Sequence, residues 1–205
     1  MPPIWPLCET TPENRQDASN TACAATVGAK IPSRSLANGR DAMVLSGFIL
    51  LAALCCSLVA GLLFAFAVVI MPGLRTLDDA AYIHAFQAVD GVIQNNHPIF
   101  GLVWLGSVLS LVASAVLAAL GPATDAAPWV MAAGLLYILG VQWPTLRIHI
   151  PLNNALQAVD THRLSPAALL VARRDFEPVW NRWNRRRTVA AMGTVLLLLV
   201  ALTLR

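Results

Sequence analysis

Between Asp41 and Arg75 the chain runs for 33 residues without a charge, with FILLAALCCSLVAGLLFAFAVVIMPG at its centre. About 20 apolar residues suffice to cross a bilayer core at 1.5 Å each, and a chain with no water to hydrogen-bond its backbone must be helical there. Three more such runs follow, at residues 91–124, 126–146 and 188–204. The last is at the short limit for a crossing. Only 12% of the 205 residues are charged and 57% are apolar, about half the charge of a soluble domain. These features predict an all-α fold, a membrane four-helix bundle, with spans at about 43–71, 98–120, 127–147 and 187–204. Stripes of small residues, Ala53, Ser57, Gly61 and Ala65 in span one and Gly106, Ser110, Ser114 and Ala118 in span two, provide for close helix approach.

Residues 1–41 differ from the rest. They are rich in Pro, Thr, Asn, Ala and Ser, lack helical or strand period, and read as a disordered extension preceding a membrane domain of residues 42–205. They do not read as a signal peptide. Met43, just before the apolar run, offers an alternative translation start. The net charge of +3 is too small to suggest nucleic acid as a partner; its distribution bears on topology instead. Eight arginines lie between spans three and four and one between spans one and two, against none in the GPATDA connection. The Arg-rich connections are therefore expected in the cytoplasm, both termini outside, and the protein in the cell's inner membrane. Membrane lipid is then a partner by default, and the sequence does not fix an oligomeric state.

The two Arg-rich connections carry structure of their own. Thr76 and Asp79 form a capping signature ahead of an amphipathic helix with Tyr82, Phe86, Val89 and Ile93 on one face and Gln87, Asp90 and Gln94 beside it. Ser165-Pro166 starts a second helix that continues into span four.

Polar and aromatic residues cluster at the same end of every span. Asn95, Asn96 and His97 enter span two; Thr145, Arg147, His149, Asn153 and Asn154 leave span three; Trp180, Trp183, Asn184 and Arg187 lead into span four. A bundle brings these ends to one mouth, polar above and apolar below. Trp180, Asn184 and Arg187 share a helical face at i, i+4 and i+7, so a ring, an amide and a guanidinium converge in a way that suits a planar, oxygen-bearing ligand. His149 and His97 are the proton acceptors available near neutral pH. Pro151 is expected to push Ile150 out of helical geometry and free carbonyls that asparagine amides could meet. Asp90 reads as a solvated charge, and Trp180 and Trp183 have the ordinary alternative of interfacial anchors.

No Cys or His spacing holds a metal: Cys55 and Cys56 read as small apolar residues of a helix, and no phosphate loop or nucleophile elbow occurs. No metal and no cofactor is expected, haem and flavin remaining open.

The runs AFQAVDGVIQNNHPIFGLVWLGS (85–107), YILGVQWPTLRIHIPLNNALQ (137–157) and RRDFEPVWNRWNRRRT (173–188), with VIMPGL (69–74), resemble the anthrone-oxygenase-like membrane proteins. The PLNN and WNRWN segments carry most of the likeness. That resemblance implies oxidation of an anthrone-like aromatic by O2 without an organic cofactor. It would make His149 or His97 the base. Asn95, Asn153 and Asn154 would be donors to a developing oxyanion, and Gln87, Trp180, Trp183, Asn184 and Arg187 would hold the substrate. The family pattern commonly has asparagine where His149 stands. The competing reading is a small membrane protein that catalyses nothing and binds a lipid, a quinone or a partner protein.

Overall fold

The computed structural model describes residues 33–121 and 125–204, which contain helices and no strand. Residues 1–32, where most of the expected irregular extension falls, lie outside the described part. The chain forms two units, Met1–Arg40 and Asp41–Arg205; the described end of the first, from Ser33, is helical, although composition reads it as irregular up to residue 41. Among the described residues seven α-helices follow one another: α1 (Ser33–Ala65), α2 (Met71–Leu74), α3 (Asp79–Gln94), α4 (Pro98–Leu120), α5 (Ala127–Tyr137), α6 (Ile150–Gln157) and α7 (Pro166–Thr203). Four helical stretches are long and apolar enough to span a membrane: Gly39–Leu74, Pro98–Leu120, Ala127–Gln157 and Pro166–Thr203. The chain is an all-α four-helix membrane bundle. Its third span continues past residue 147 to Gln157. At 38 residues α7 is roughly 57 Å long, nearly twice a bilayer core, so its arginine-rich first half extends beyond the hydrocarbon.

Three spanning stretches contain inner prolines; α7 keeps regular α-helix through Pro178, and the other two stay helical by widening. Wide π-type turns occupy Phe66–Ile70, Ile138–Gln142 and Thr145–His149. Each ends two residues before a proline, Pro72, Pro144 or Pro151. A proline has no N–H to give and its ring crowds the carbonyl four residues back; one extra residue in the preceding turn relieves both problems without breaking the helix. Ile150 accordingly keeps helical angles (φ −60°, ψ −48°), contrary to the expectation that Pro151 would expel it.

Lipid is as apolar as the bundle interior, so hydrophobicity alone does not choose the inner face. Leu45, Ile49, Ala52, Cys56, Val59 and Leu63 of α1 are buried, while Leu50, Leu54, Leu58 and Phe64 face out. On α4 the inner face is Ser107, Ser110, Ser114 and Ala118. The serines bond mainly within their own helix, Ser114 to the Ser110 carbonyl at 2.7 Å, and Ser107 also meets the Tyr137 hydroxyl at 2.7 Å. The small stripe of α4 is thus an interface as expected. That of α1 is not: Ser57 and Gly61 are exposed. The third and fourth spans pack closely at Gly140, where an added Cβ would sit 2.5 Å from that of Ala190.

A second core lies at the polar end. Tyr82, Ile83 and Phe86 of α3 pack with Phe66, Met71, Leu156, Leu169, Phe176 and Trp180. The cap of α3 is Asp78, whose carboxylate accepts from the Ala81 N–H at 2.9 Å, rather than Thr76. Ser165 caps α7 ahead of Pro166 as its sequence predicts.

Candidate functional site

A cavity of about 420 Å³ opens between the two cores. Val59, Leu62, Leu63 and Val141 line its deep part, and Phe66, Phe86, Phe100, Trp104 and Trp180 its aromatic walls. Asp90, Gln94, Asn96, Thr145, His149, Asn153, Asn154 and Arg187 supply the polar groups. Val59 and Phe66 lie seven residues apart on one helix, so the cavity reaches roughly 10 Å along span one. All three wide turns border it: Phe66 begins the first, Val141 belongs to the second, and Thr145 and His149 bound the third. The prolines at 72, 144 and 151 thereby reshape span one and span three at the level of the cavity.

Arg187 dominates the electrostatics. It is buried, 6% exposed, and no carboxylate pairs with it among the described residues. One Nη donates to the Thr145 hydroxyl at 2.9 Å and the other to Oδ1 of Asn184 at 3.0 Å, while Nε has no partner. Both acceptors are themselves fixed. Thr145 donates to the Val141 carbonyl at 2.7 Å, and the fully buried Asn184 donates to the Leu63 carbonyl at 3.0 Å. A guanidinium held by neutral acceptors keeps its full charge uncompensated, and that is a strong potential for an anion.

His149 is 2% exposed. Its Nδ1 lies 3.3 Å from the Pro144 carbonyl, which can only accept, so Nδ1 carries the hydrogen and Nε2 the lone pair. That Nε2 has no hydrogen-bond partner. The ring meets Trp180 edge-on at 5.3 Å. Trp180 in turn contacts Phe66 at 5.5 Å and Phe86 at 5.6 Å, and the Arg187 guanidinium stands 6.0 Å from its centroid.

Asp90 is the residue whose sequence reading the structure reverses. It is 4% exposed, not solvated. Its carboxylate accepts from Asn153 at 2.7 Å, Gln94 at 2.6 Å and Gln157 at 3.0 Å. Asn153 then accepts the Trp180 indole N–H at 2.9 Å. One carboxylate thus fixes the amide that fixes the ring, linking α3, α6 and α7.

Of the residues singled out from sequence, His149, Asn153, Asn154, Trp180 and Arg187 come together around the cavity, and Asn184 braces it from behind. Four do not line it. Gln87 donates to the Leu156 and Val159 carbonyls, both at 2.8 Å, closing the C-terminus of α6. Asn95 ends α3 by its backbone and is exposed. His97 is exposed at the start of α4. Trp183 pairs with Trp143 at 6.4 Å and carries Arg186 over its ring at 4.7 Å. Asn153 has both amide groups engaged, on Asp90 and Trp180, so it positions neighbours and is not a spare donor. Thr145, expected at the same mouth, lines the cavity as well. Missed were Phe100 and Trp104, which stand at i and i+4 on α4, a spacing indistinguishable from a lipid-facing stripe. Among the described residues no group of three or more His, Cys, Asp or Glu could hold a metal ion.

A family model described as anthrone oxygenase matches residues 92–197, 106 of the 205. The chain belongs to the anthrone oxygenase family. The matched stretch contains His149, Asn153, Asn154, Trp180 and Arg187, whereas Asp90 falls just before it. No curated protein and no solved structure matches the chain at a significant level. The likeness expected from PLNN and WNRWN is therefore established at the level of family and membrane architecture.

Proposed function

We propose that the cavity binds a planar, oxygen-bearing aromatic as its anion and lets it react with O2, an oxidation of the anthrone or quinol type that draws on no organic cofactor. The observation that carries this reading is Arg187, a buried cation without a counter-ion among the described residues, in an aromatic-walled cavity beside an unpartnered imidazole nitrogen. In the proposed reaction Nε2 of His149 takes a proton from the benzylic carbon, and the electron pair delocalises onto the ring oxygen, where Arg187 stabilises it. The electron-rich anion gives one electron to O2. The resulting radicals join at the benzylic carbon, and the peroxide oxygen takes the proton back from the imidazolium. Loss of the second benzylic proton with cleavage of the O–O bond leaves a carbonyl and water, so one CH2 and one O2 become one C=O and one H2O. Asn153 and Asp90 hold Trp180 in place throughout. His97, exposed and outside the cavity, has no part in it. The same reading puts the cavity mouth and the arginine-rich connections on the cytoplasmic face of the inner membrane.

The test is oxygen uptake by the purified protein in lipid nanodiscs supplied with anthrone, against the slow oxidation in empty discs. Uptake and anthraquinone should appear in equal amounts, and H149A should lower the rate by roughly 10²–10⁴-fold. Binding of the aromatic without any uptake above the empty discs would leave a carrier or sensor and overturn the catalytic reading.

A further inference from the structure

On the other side of spans one and four lies a groove of about 530 Å³ that shares no residue with the cavity. Its floor is apolar, made by Ala67, Met71, Pro72 and Pro178, and its rim holds Arg75, Arg182 and Arg185. The rim's single acid, Glu177, is already shared: Arg75 meets it at 3.2 Å and Arg173, from outside the groove, at 2.9 Å. Arg182 and Arg185 form no ion pair among the described residues. They stand three apart on one face of α7, one turn beyond Pro178. Arg75 is the first charge after the long apolar run, and Arg187 the last before the apolar end of α7. The arginine rim therefore sits where hydrocarbon gives way to headgroups, with its apolar floor on the hydrocarbon side. Positive charge unspent at that depth, above a greasy trough between two spans, complements one kind of molecule: an anion with acyl chains attached.

We propose that this groove is a specific binding site for one anionic phospholipid, its phosphate held by Arg182, Arg185 and the free end of Arg75, and a chain laid over Ala67 and Met71. Arginine forks match phosphate oxygens in pairs, which a diffuse basic surface does not provide. The proposal is independent of the oxidation, since the groove and the cavity have no lining residue in common.

Native mass spectrometry of the detergent-purified chain, titrated with phosphatidylglycerol or with phosphatidylcholine of the same chains, tests it. One phosphatidylglycerol should bind saturably in preference to phosphatidylcholine. R182Q/R185Q should weaken it by roughly thirtyfold, from roughly fivefold for each arginine near a headgroup. R174Q/R186Q, the same charge change on the same helix outside the groove, should leave it within about threefold. Filling the floor with A67F should also expel the lipid while every arginine remains. Equal loss in R174Q/R186Q would show a diffuse charge effect, displacement by millimolar inorganic phosphate would show a soluble-anion site, and full binding by R182Q/R185Q would remove these arginines; each overturns the proposal.

Discussion

Replacing Asp90 by asparagine (D90N) tests whether this acid is a buried anchor, because the change is nearly isosteric and adds only two hydrogens. The carboxylate receives three amide donors, Asn153 on one oxygen and Gln94 and Gln157 on the other. An asparagine offers one oxygen and one NH2, so one side of the pair must meet donor with donor. If the NH2 faces Asn153, that residue must flip and abandon the Trp180 N–H it now accepts at 2.9 Å. If it faces the glutamines, Gln157 must flip and lose its 3.0 Å bond to the Gln87 carbonyl. Either way one charge-assisted bond, about 1.5–3 kcal/mol, is lost and a buried donor is left over. The expected cost is about 2–4 kcal/mol, roughly 4–16 °C in unfolding temperature for a chain of this size. The swap D90N/N153D should restore most of it. The amide introduced at position 90 would then donate to the carboxylate introduced at position 153, which still accepts from Trp180, while the new amide's oxygen accepts from both glutamines. Intrinsic tryptophan fluorescence during thermal unfolding in detergent compares the two variants with the wild type. A D90N shift under about 2 °C, or a double variant worse than D90N, would refute the network and return Asp90 to a surface charge.

Three further outcomes follow from the same geometry. R187M removes a desolvated cation but leaves Oδ1 of the fully buried Asn184 without its donor, so the two effects offset and unfolding should stay within about 2 kcal/mol of the wild type; a larger loss in the same assay would make the guanidinium a structural tie. G140A should cost about 1–3 kcal/mol, since its methyl would sit 2.5 Å from that of Ala190, and unfolding at the wild-type temperature would show that spans three and four have room to part. At Asn96, where φ is +57°, N96G should be near neutral and N96V should cost about 1–2 kcal/mol, equal stability of the two removing the left-handed turn from the account.

Much of the architecture could be read from charge alone. Stretches of uncharged residues longer than a bilayer crossing have one helical solution, and the polar ends of three spans had to meet. The i, i+4, i+7 relation of Trp180, Asn184 and Arg187 was equally visible, and all three are buried together. What periodicity could not give was the choice of face, since Leu54 toward lipid and Cys56 toward the bundle are alike in hydrophobicity. Asp90 was misread for a related reason: on an amphipathic helix a carboxylate normally marks the wet side, and only the amides of Asn153 and Gln157, 63 and 67 positions away, make it an inner one. Gln87 and Asn95 were drawn toward the site by proximity in sequence, yet backbone needs claim them, the open carbonyls of α6 for one and the end of α3 for the other. Of the inner prolines only Pro151 was read as bearing on the site, although Pro72 and Pro144 also follow a widened turn bordering the cavity; Pro178 follows none.

The claim on which the functional account turns is that Arg187 receives an aromatic anion in this cavity. Calorimetric titration of nanodisc-embedded protein with a hydroxyanthraquinone, above the pH at which its phenol ionises, compares wild type with R187M directly. The account predicts binding about 10–100-fold weaker in R187M, the worth of one charge-assisted bond, with affinity for the hydroxyl-free parent ring unchanged. Equal affinity of the two proteins for the phenolate would contradict it.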